Sequence, residues 1–275
     1  APEYVQVVPM PDVYRGLYKD GDAGKDYAKY VKEAISQICS QNRSVAGFIC
    51  ESILSCGGQV PLPAGYLSEV YSIIREAGGI CIADEVQVGL GRVGKYYWGF
   101  ELSGVVPDIV TIGKPLGNGH PVAAVVCSEE IADAFANGME YFNTFGGNPV
   151  SCAIGREVLQ IIKDEKLQQH ALKIGDQLKT ELRSLQKEYQ VIGDVRGHGL
   201  FLGIELVKDL ETLDPAADKA KYLINRMREF GVLLSTDGPF NNVLKIKPPL
   251  CFGKSDLSYF IETMDLILKE DFMKE

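Results

Sequence analysis

The sequence of 275 residues lacks the features that mark membrane proteins and zinc proteins. No run approaches the ~20 consecutive apolar residues that span a bilayer, and the amino end shows no basic-then-apolar signal pattern. The three histidines, at positions 120, 170 and 198, form no His-x-x-x-His or similar group. These absences argue against a membrane role and against a zinc site.

The chain also lacks a Cys-x-x-Cys pair. Its seven cysteines are an odd number, widely scattered, and several lie within apolar runs, as buried free thiols do. We therefore expect an intracellular protein, in the cytoplasm or the mitochondrial matrix. Basic residues are not in excess either, because the formal net charge is −9. This charge argues against a nucleic-acid partner, since phosphate binding needs a basic face.

The composition that remains is that of a globular protein. Apolar residues make up 46% of the chain, and the mean hydropathy is close to zero. A chain of this length can bury a substantial core in one large or two modest domains.

Two apolar segments of the sequence end abruptly in charge or glycine. Residues 80–83 run into Asp84 and Glu85, and residues 105–112 run into Gly113 and Lys114. In an open parallel sheet, ligands bind beyond the carboxyl ends of the strands. The spacing therefore predicts that Asp84 and Lys114 face one crevice, as a carboxylate and an amine of opposite charge.

This pair of residues has two interpretations. Pyridoxal phosphate chemistry needs a lysine that holds the cofactor as a Schiff base and an acid that keeps the ring nitrogen protonated. An ordinary ion pair between a surface lysine and a strand-end aspartate fits the spacing equally well, because such residues are common in α/β proteins. His120, six residues after Lys114, is interpreted as a loop histidine that satisfies backbone groups.

The order of periodic segments predicts an α/β fold with a mostly parallel sheet, followed by a smaller α+β domain. The first part alternates strands and helices, at residues 26–41, 45–50, 66–77, 80–83 and 105–112. Helical patterns at 150–162 and 167–185 are expected to cross from one domain to the other. Further strands are predicted at 192–206, 232–234 and 243–247, with helices at 216–230 and 257–268. We expect domains at residues 1–165 and 166–275.

Three consecutive blocks carry a family resemblance: IADEVQVGLGRVGKYYWGFE, PDIVTIGKPLGNGHPVAAV and YFNTFGGNPVSCA. They resemble the class III aminotransferases, fold-type I enzymes that use pyridoxal phosphate. The resemblance implies that Lys114 forms the Schiff base and that Asp84 is the partner of the ring nitrogen. It further implies that Gln87 hydrogen-bonds the ring hydroxyl and that Thr144 reaches the cofactor phosphate of a neighbouring subunit. The implied assembly is a homodimer or homotetramer with a shared active site.

The resemblance also implies that an amino-terminal portion is missing from this sequence. A complete class III enzyme has, before this point, the loop and helix N-terminus that hold the cofactor phosphate. It also has an aromatic residue that stacks on the cofactor ring. Neither feature is found in the first residues, so we expect 1–275 alone to lack cofactor affinity.

Two departures from the family pattern bear on which substrate the protein binds. In the branch that handles ornithine, an arginine grips the substrate carboxylate and a glutamate gates it; here those positions hold Lys245 and Cys56. Lysine offers a point charge instead of a bidentate fork. The blocks GKPLGNGHPVA, STDGP and NVLKIKPPLCF more closely resemble the phospho-lyase branch, whose members act on ethanolamine phosphate or 5-phosphohydroxylysine.

That branch implies an elimination in which Lys114 removes a proton and phosphate leaves from the adjacent carbon. A class III transaminase for an ω-amine or a β-amino acid is the alternative, and a catalytically silent homologue is a third reading. Catalytic residues alone do not separate the first two, because both share the proton removal. Recognition of the leaving phosphate would separate them, and each candidate cation is equally well a solvated charge. The candidates are Arg15, Arg196, Lys245 and Lys247.

Overall fold

The computed structural model describes residues 2–274 and divides them into two compact units. The first unit consists of residues 2–52, 62–90 and 98–165, and the second of residues 53–61, 91–97 and 166–274. Residues 53–61 and 91–97, which the sequence prediction grouped with residues 1–165, thus pack with the second unit. Hydrogen bonds attach both segments to the second unit. Arg196 donates to the carbonyl of Gly58, and Arg92 donates to the carbonyls of Leu200 and Pro248.

Helices and strands occur in both units. The helices are α1 (Ala23–Ser40), α2 (Tyr66–Glu76), α3 (Glu129–Phe135), α4 (Pro149–Asp164), α5 (Leu167–Glu188), α6 (Ala217–Glu229), α7 (Lys254–Leu268) and α8 (Asp271–Lys274). The strands are β1 (Gly47–Glu51), β2 (Ile53–Leu54), β3 (Val60–Pro61), β4 (Ile80–Asp84), β5 (Ile109–Ile112), β6 (Ala124–Cys127), β7 (Ile192–His198), β8 (Phe201–Leu206), β9 (Ser235–Asp237) and β10 (Val243–Ile246). Short 3₁₀ helices cover Gly99–Ser103 and Lys114–Gly117. Within residues 2–274, no helix has the length and apolar character needed to cross a membrane.

The sheet of the first unit has the strand order β1-β4-β5-β6. The β1-β4 and β4-β5 pairs are parallel, as predicted, and β6 adds an antiparallel edge that the sequence prediction missed. Strand β5 begins at Ile109 instead of residue 105. Pro107 has no N–H to donate to a ladder, and the side chain of Asp108 instead accepts a hydrogen bond from the backbone N–H of Cys81 at 2.7 Å.

Helices α1 and α2 form the core of the first unit with one face of this sheet. Each helix has apolar residues at helical spacing, and the buried ones include Tyr27, Val31, Leu67, Val70 and Ile74. Burying an apolar side chain of this size stabilises the fold by about 1.5–3 kcal/mol. Helix α2 ends before Gly78, which has a φ of +82°, as the left-handed end of a helix favours glycine. The first strand and the first helices are thereby held against β4, which leads to Asp84.

The second unit contains an antiparallel sheet with the strand order β7-β8-β10-β9. Its core includes the buried stripe of α5, formed by Ala171, Ile174, Leu178, Leu182 and Leu185. Strand β9 begins at Ser235, later than the predicted 232–234, because the chain first turns at Gly231 with a φ of +77°. The predicted crossing helix is two helices, since Lys166 has a φ of +53° between α4 and α5.

Candidate active site

Asp84 and Lys114 follow neighbouring parallel strands of the first unit. Asp84 is the last residue of β4 and pairs in register with Thr111 of β5. Strand β5 ends at Ile112, and Lys114 begins a 3₁₀ helix two residues later. The carboxyl ends of parallel strands meet at one edge of a sheet, so both residues lie at that edge.

The two turns that follow these strands touch each other. A β-carbon on Gly113, the residue before Lys114, would lie 3.3 Å from a methyl carbon of Val86. Val86 is two residues after Asp84, and the backbone N–H of Glu85 donates to the carbonyl of Thr111 at 2.9 Å. The chain therefore brings the turn after Asp84 close to the turn that carries Lys114.

Lys114 combines an unusual backbone conformation with an amine that has no polar partner among residues 2–274. Its φ is +23°, an uncommon value for a residue with a side chain. The turn is held by a hydrogen bond from the N–H of Leu116 to the carbonyl of Gly113, at 2.9 Å. The side chain is exposed, and in the part of the chain that the structure describes its amine makes no ion pair or hydrogen bond. Such an amine is available to react with a carbonyl compound.

The carboxylate of Asp84 is oriented by its own turn. Its Oδ1 atom accepts a hydrogen bond from the backbone N–H of Val86 at 3.0 Å, and the residue is half-buried. Gln87, three residues after Asp84, is 8% exposed. An acid with one oxygen engaged locally can still accept a hydrogen bond from a cationic ring at its other oxygen.

Glu85 is a site-positioning residue that sequence reasoning missed. Its side chain is fully buried, and it accepts hydrogen bonds from the N–H groups of Gly99 and Phe100 at 2.8 and 2.9 Å and from the hydroxyl of Ser52. Burial raises the pKa of Glu85, and these hydrogen bonds oppose the shift. Glu85 thus ties the end of β4 to the segment after residue 97. The one sequence feature that indicates a buried acid is the pair Asp84 and Glu85, because successive side chains at the end of a strand point in opposite directions.

Thr144 lies in the loop between α3 and α4. Asn143 stabilises this loop, because its Oδ1 atom accepts hydrogen bonds from the N–H groups of Phe145 and Gly146 at 3.2 and 2.9 Å. The side chain of Thr144 is exposed. Among the described residues it makes no hydrogen bond to Lys114. The loop therefore presents Thr144 outward.

His120 has a side-chain partner, contrary to the expectation that it satisfies backbone groups. Its Nε2 atom lies 2.8 Å from the hydroxyl of Ser151 in the first turn of α4. The loop that follows Lys114 is thereby attached to α4.

Two of the four cations that the sequence suggested for substrate binding are paired with carboxylates inside the second unit. Arg196 is 8% exposed and forms ion pairs with Asp194 at 2.9 Å and Glu205 at 2.6 Å. Lys245 forms an ion pair with Asp237 at 2.8 Å. Each positive charge is therefore balanced by carboxylates of its own unit.

The residues at the edge of the first sheet fit pyridoxal phosphate. Lys114 supplies an exposed amine that no carboxylate among residues 2–274 neutralises, and Asp84 supplies a carboxylate held in place by Val86. A free amine and an ionised acid are the groups that this cofactor needs at its aldehyde and at its ring nitrogen. The fit rests on the unpaired amine of Lys114 among residues 2–274 and on the hydrogen bond that orients Asp84.

Known proteins similar to this chain include both aminotransferases and phospho-lyases. The chain is 52% identical over 267 residues to "Alanine--glyoxylate aminotransferase 2-like" of Drosophila melanogaster, covering 94% of this chain and 54% of that protein. It is 45% identical over 281 residues to "Ethanolamine-phosphate phospho-lyase homolog 1" of Caenorhabditis elegans, covering 97% of this chain and 60% of that protein. The chain therefore spans little more than half the length of these curated relatives.

A solved structure and a family model agree with these matches. The phospholyase from Arthrobacter in complex with phosphoethanolamine superposes with a TM-score of 0.92 at 38% identity, covering 97% of this chain and 63% of that one. The family model described as "Aminotransferase class-III" matches residues 3–268. The predicted fold-type I architecture is thus confirmed, and the chain belongs to the class III aminotransferases, a family whose cofactor is pyridoxal phosphate.

Proposed function

We propose that the full protein is a pyridoxal-phosphate-dependent phospho-lyase that eliminates phosphate from a small phosphorylated amine. Ethanolamine phosphate is the first expected substrate, and together with one water it would give acetaldehyde, ammonia and phosphate. The likeness to the Arthrobacter phospholyase that was solved with phosphoethanolamine carries this proposal. The phospho-lyase homologue of Caenorhabditis elegans supports it.

Pyridoxal phosphate supplies an electron sink, which makes a proton on the carbon next to the amine nitrogen acidic. In the proposal, Lys114 would hold the cofactor through its amine and would also act as the base that removes that proton. Asp84 would accept a hydrogen bond from the protonated ring nitrogen. Gln87 hydrogen-bonds the ring hydroxyl. The exposed amine of Lys114, free of an internal ion pair, suits both of its roles.

Release of phosphate depends on groups that hold its oxygens. Lys245 and Arg196 are proposed as contacts for the substrate anion. Lys245 would have to exchange Asp237 for that anion, and Arg196 would have to give up part of a buried ion-pair cluster. The exchange at Lys245 disturbs fewer contacts, so Lys245 is the preferred candidate of the two.

We further propose a homodimer or homotetramer with a shared active site. Large apolar side chains between 64% and 82% exposed surround Thr144 in sequence, namely Phe135, Met139, Tyr141, Phe142 and Phe145. A concentration of exposed apolar side chains is typical of an interaction surface. In the assembly, Thr144 would reach the cofactor phosphate held by a second copy.

A class III transaminase for an ω-amine or a β-amino acid is the second candidate. The relative at 52% identity, which carries an aminotransferase name, favours it. A transaminase would use the same lysine and acid to remove the proton but would return it elsewhere and need a keto-acid acceptor. A catalytically silent homologue is a weaker candidate, since Lys114, Asp84, Gln87 and Thr144 are all present.

One experiment separates these functions. Full-length protein is incubated with ethanolamine phosphate and no keto acid, and phosphate and acetaldehyde are measured together. The lyase predicts equal release of both, and the same reaction with 5-phosphohydroxylysine tests the other substrate of the branch. Lys114→Ala should abolish release, and Lys114→Arg, which keeps the charge but not the reactive amine, should abolish it too. An absolute need for a keto acid would establish the transaminase instead.

A further inference from the structure

The turn that carries Lys114 is attached to α4 by an apolar contact and a polar one. A β-carbon on Gly155 of α4 would lie 3.7 Å from Leu116, in ordinary van der Waals contact, and Leu116 is 8% exposed. The polar contact joins the Nε2 atom of His120 to the hydroxyl of Ser151 at 2.8 Å. The position of the lysine turn is therefore set in part by the first two turns of α4.

The same serine is bonded to the residue that begins α4. The N–H of Ser151 donates to Oδ1 of Asn148 at 3.0 Å, which caps the helix. The Nδ2 group of Asn148 donates to the Ser151 hydroxyl at 2.9 Å and to the carbonyl of Phe145 at 2.7 Å. Phe145 directly follows Thr144. A chain of side-chain hydrogen bonds thus runs from the Lys114 turn to the Thr144 loop.

The chemistry of the serine hydroxyl allows both links at once. The hydroxyl oxygen accepts from Asn148 through one lone pair. The hydroxyl can also donate a hydrogen bond to Nε2 of His120 or accept one from it, according to the tautomer of the ring. Ser151 is 7% exposed, and a lost hydrogen bond at such a site leaves a polar group unsatisfied.

We propose that His120, Ser151 and Asn148 are positioning residues that hold the Lys114 turn and the Thr144 loop in one fixed arrangement. The functional meaning of this coupling rests on the proposed function, in which Lys114 serves the cofactor of its own chain and Thr144 that of a second copy. A substitution at His120 would then alter both the Lys114 turn and the Thr144 loop. In each copy, the network would join the Lys114 turn, which serves that copy's own active site, to the Thr144 loop, which serves the active site of the second copy.

Matched substitutions at His120 test the coupling. The Nε2 atom of glutamine can take the place of the histidine Nε2, whereas asparagine is too short to reach Ser151. In full-length protein, His120→Asn and Ser151→Ala are expected to raise amide hydrogen exchange in both 113–119 and 141–147. The expected rise is roughly fivefold, the factor for one neutral hydrogen bond. His120→Gln is expected to stay near the wild-type rates and to retain kcat, while His120→Asn lowers kcat with little change in KM.

Asn148→Asp serves as a second variant that is expected to fold. Aspartate is a good helix cap but removes both hydrogen bonds that Nδ2 donates. It should raise exchange in 141–147 while α4 itself stays protected. Faster exchange in only one of the two loops after His120→Asn would overturn the coupling, and so would equal behaviour of His120→Gln and His120→Asn.

A separate measurement tests the proposed function. Borohydride reduction followed by peptide mass spectrometry shows whether the cofactor is bound to Lys114, whatever the exchange rates are. Attachment at Lys114 without coupled exchange would refute the positioning network alone. Coupled exchange without attachment would refute the cofactor assignment alone.

Discussion

Val86 lies against Gly113, so close that a β-carbon on the glycine would make a tight contact with the valine. A β-carbon on the glycine would be 3.3 Å from Cγ1 of Val86. This contact joins the turn after β4, which carries Asp84 and Gln87, to the turn that carries Lys114. The relative position of acid and amine therefore depends on a glycine that is not itself a reacting group.

Gly113→Ala is expected to weaken cofactor binding by the full-length protein about fivefold, since overpacking costs on the order of 1 kcal/mol here. The cofactor titration of Gly113→Ala is compared with that of the double variant Gly113→Ala, Val86→Ala. Removing the valine methyl groups makes room for the new β-carbon, so the double variant should recover most of the affinity. No recovery would mean that the alanine acts through something other than Val86.

Glu85 is expected to make stability depend on pH. Burial raises the pKa of Glu85 above the ordinary value of 4.5, so the folded state binds this proton more tightly than the unfolded state does. The contribution of Glu85 to the unfolding free energy is therefore full below about pH 4.5 and is lost as the pH rises through its raised folded pKa. Glu85→Gln should remove this part of the decline in denaturant unfolding measured at several pH values.

The amide in Glu85→Gln also faces the two backbone N–H groups of residues 99 and 100 with one acceptor oxygen instead of two. We expect a loss of about 1–3 kcal/mol in unfolding free energy for this reason. Glu157→Gln, at an exposed position on α4, is the matched control and should change neither the stability nor its pH dependence. Equal pH profiles for Glu85→Gln and the wild type would contradict the assignment.

Arg196→Met is expected to destabilise the full-length protein by about 3–5 kcal/mol, because it leaves a buried carboxylate without its partner. Glu205 is 1% exposed and 2.6 Å from the guanidinium. Adding Glu205→Leu should restore part of the loss, since it removes the unpaired charge. Urea unfolding measures both variants. Unchanged stability would contradict this structural role of Arg196, and a raised KM for ethanolamine phosphate would support its proposed contact with the substrate.

Cys50 is expected to resist alkylation. Burial raises the pKa of its thiol to about 12, and the negative charges of Glu51 and Asp84 add to the shift. At pH 8 the thiolate fraction is then on the order of 1 in 10,000, and only the thiolate reacts. Cys39, which is exposed on α1, is the internal control for iodoacetamide labelling followed by mass spectrometry. Labelling of Cys50 as fast as Cys39 would show that its strand is more open than the structure indicates.

Local sequence predicted those parts of the fold that local physics controls. Helix α2 ends where Gly78 allows a left-handed backbone, and the stripe on α5 marks its buried face at helical spacing. Charge at the end of an apolar run predicted that Asp84 and Lys114 leave neighbouring strands. The roles of Lys114, Asp84, Gln87 and Thr144 toward the cofactor remain predictions, because they concern groups that belong to a bound molecule or a second copy.

The other features depended on contacts between distant residues. The packing of residues 53–61 with the second unit is held by Arg196, which is 138 positions away from Gly58. The sequence around Gly58 does not predict the hydrogen bond with Arg196. The antiparallel edge strand β6 was missed for a related reason, since a strand of four residues has little periodicity of its own.

The sequence by itself determined the family and the order of strands and helices through most of the chain, because these follow from motifs and short-range periodicity. Only the tertiary structure decided which of the acids at positions 84 and 85 is buried and which cations are already paired. It also decided which side chains hold the lysine turn in place. Burial and hydrogen-bond partners are properties of the packed chain, and a residue acquires them only when distant segments meet.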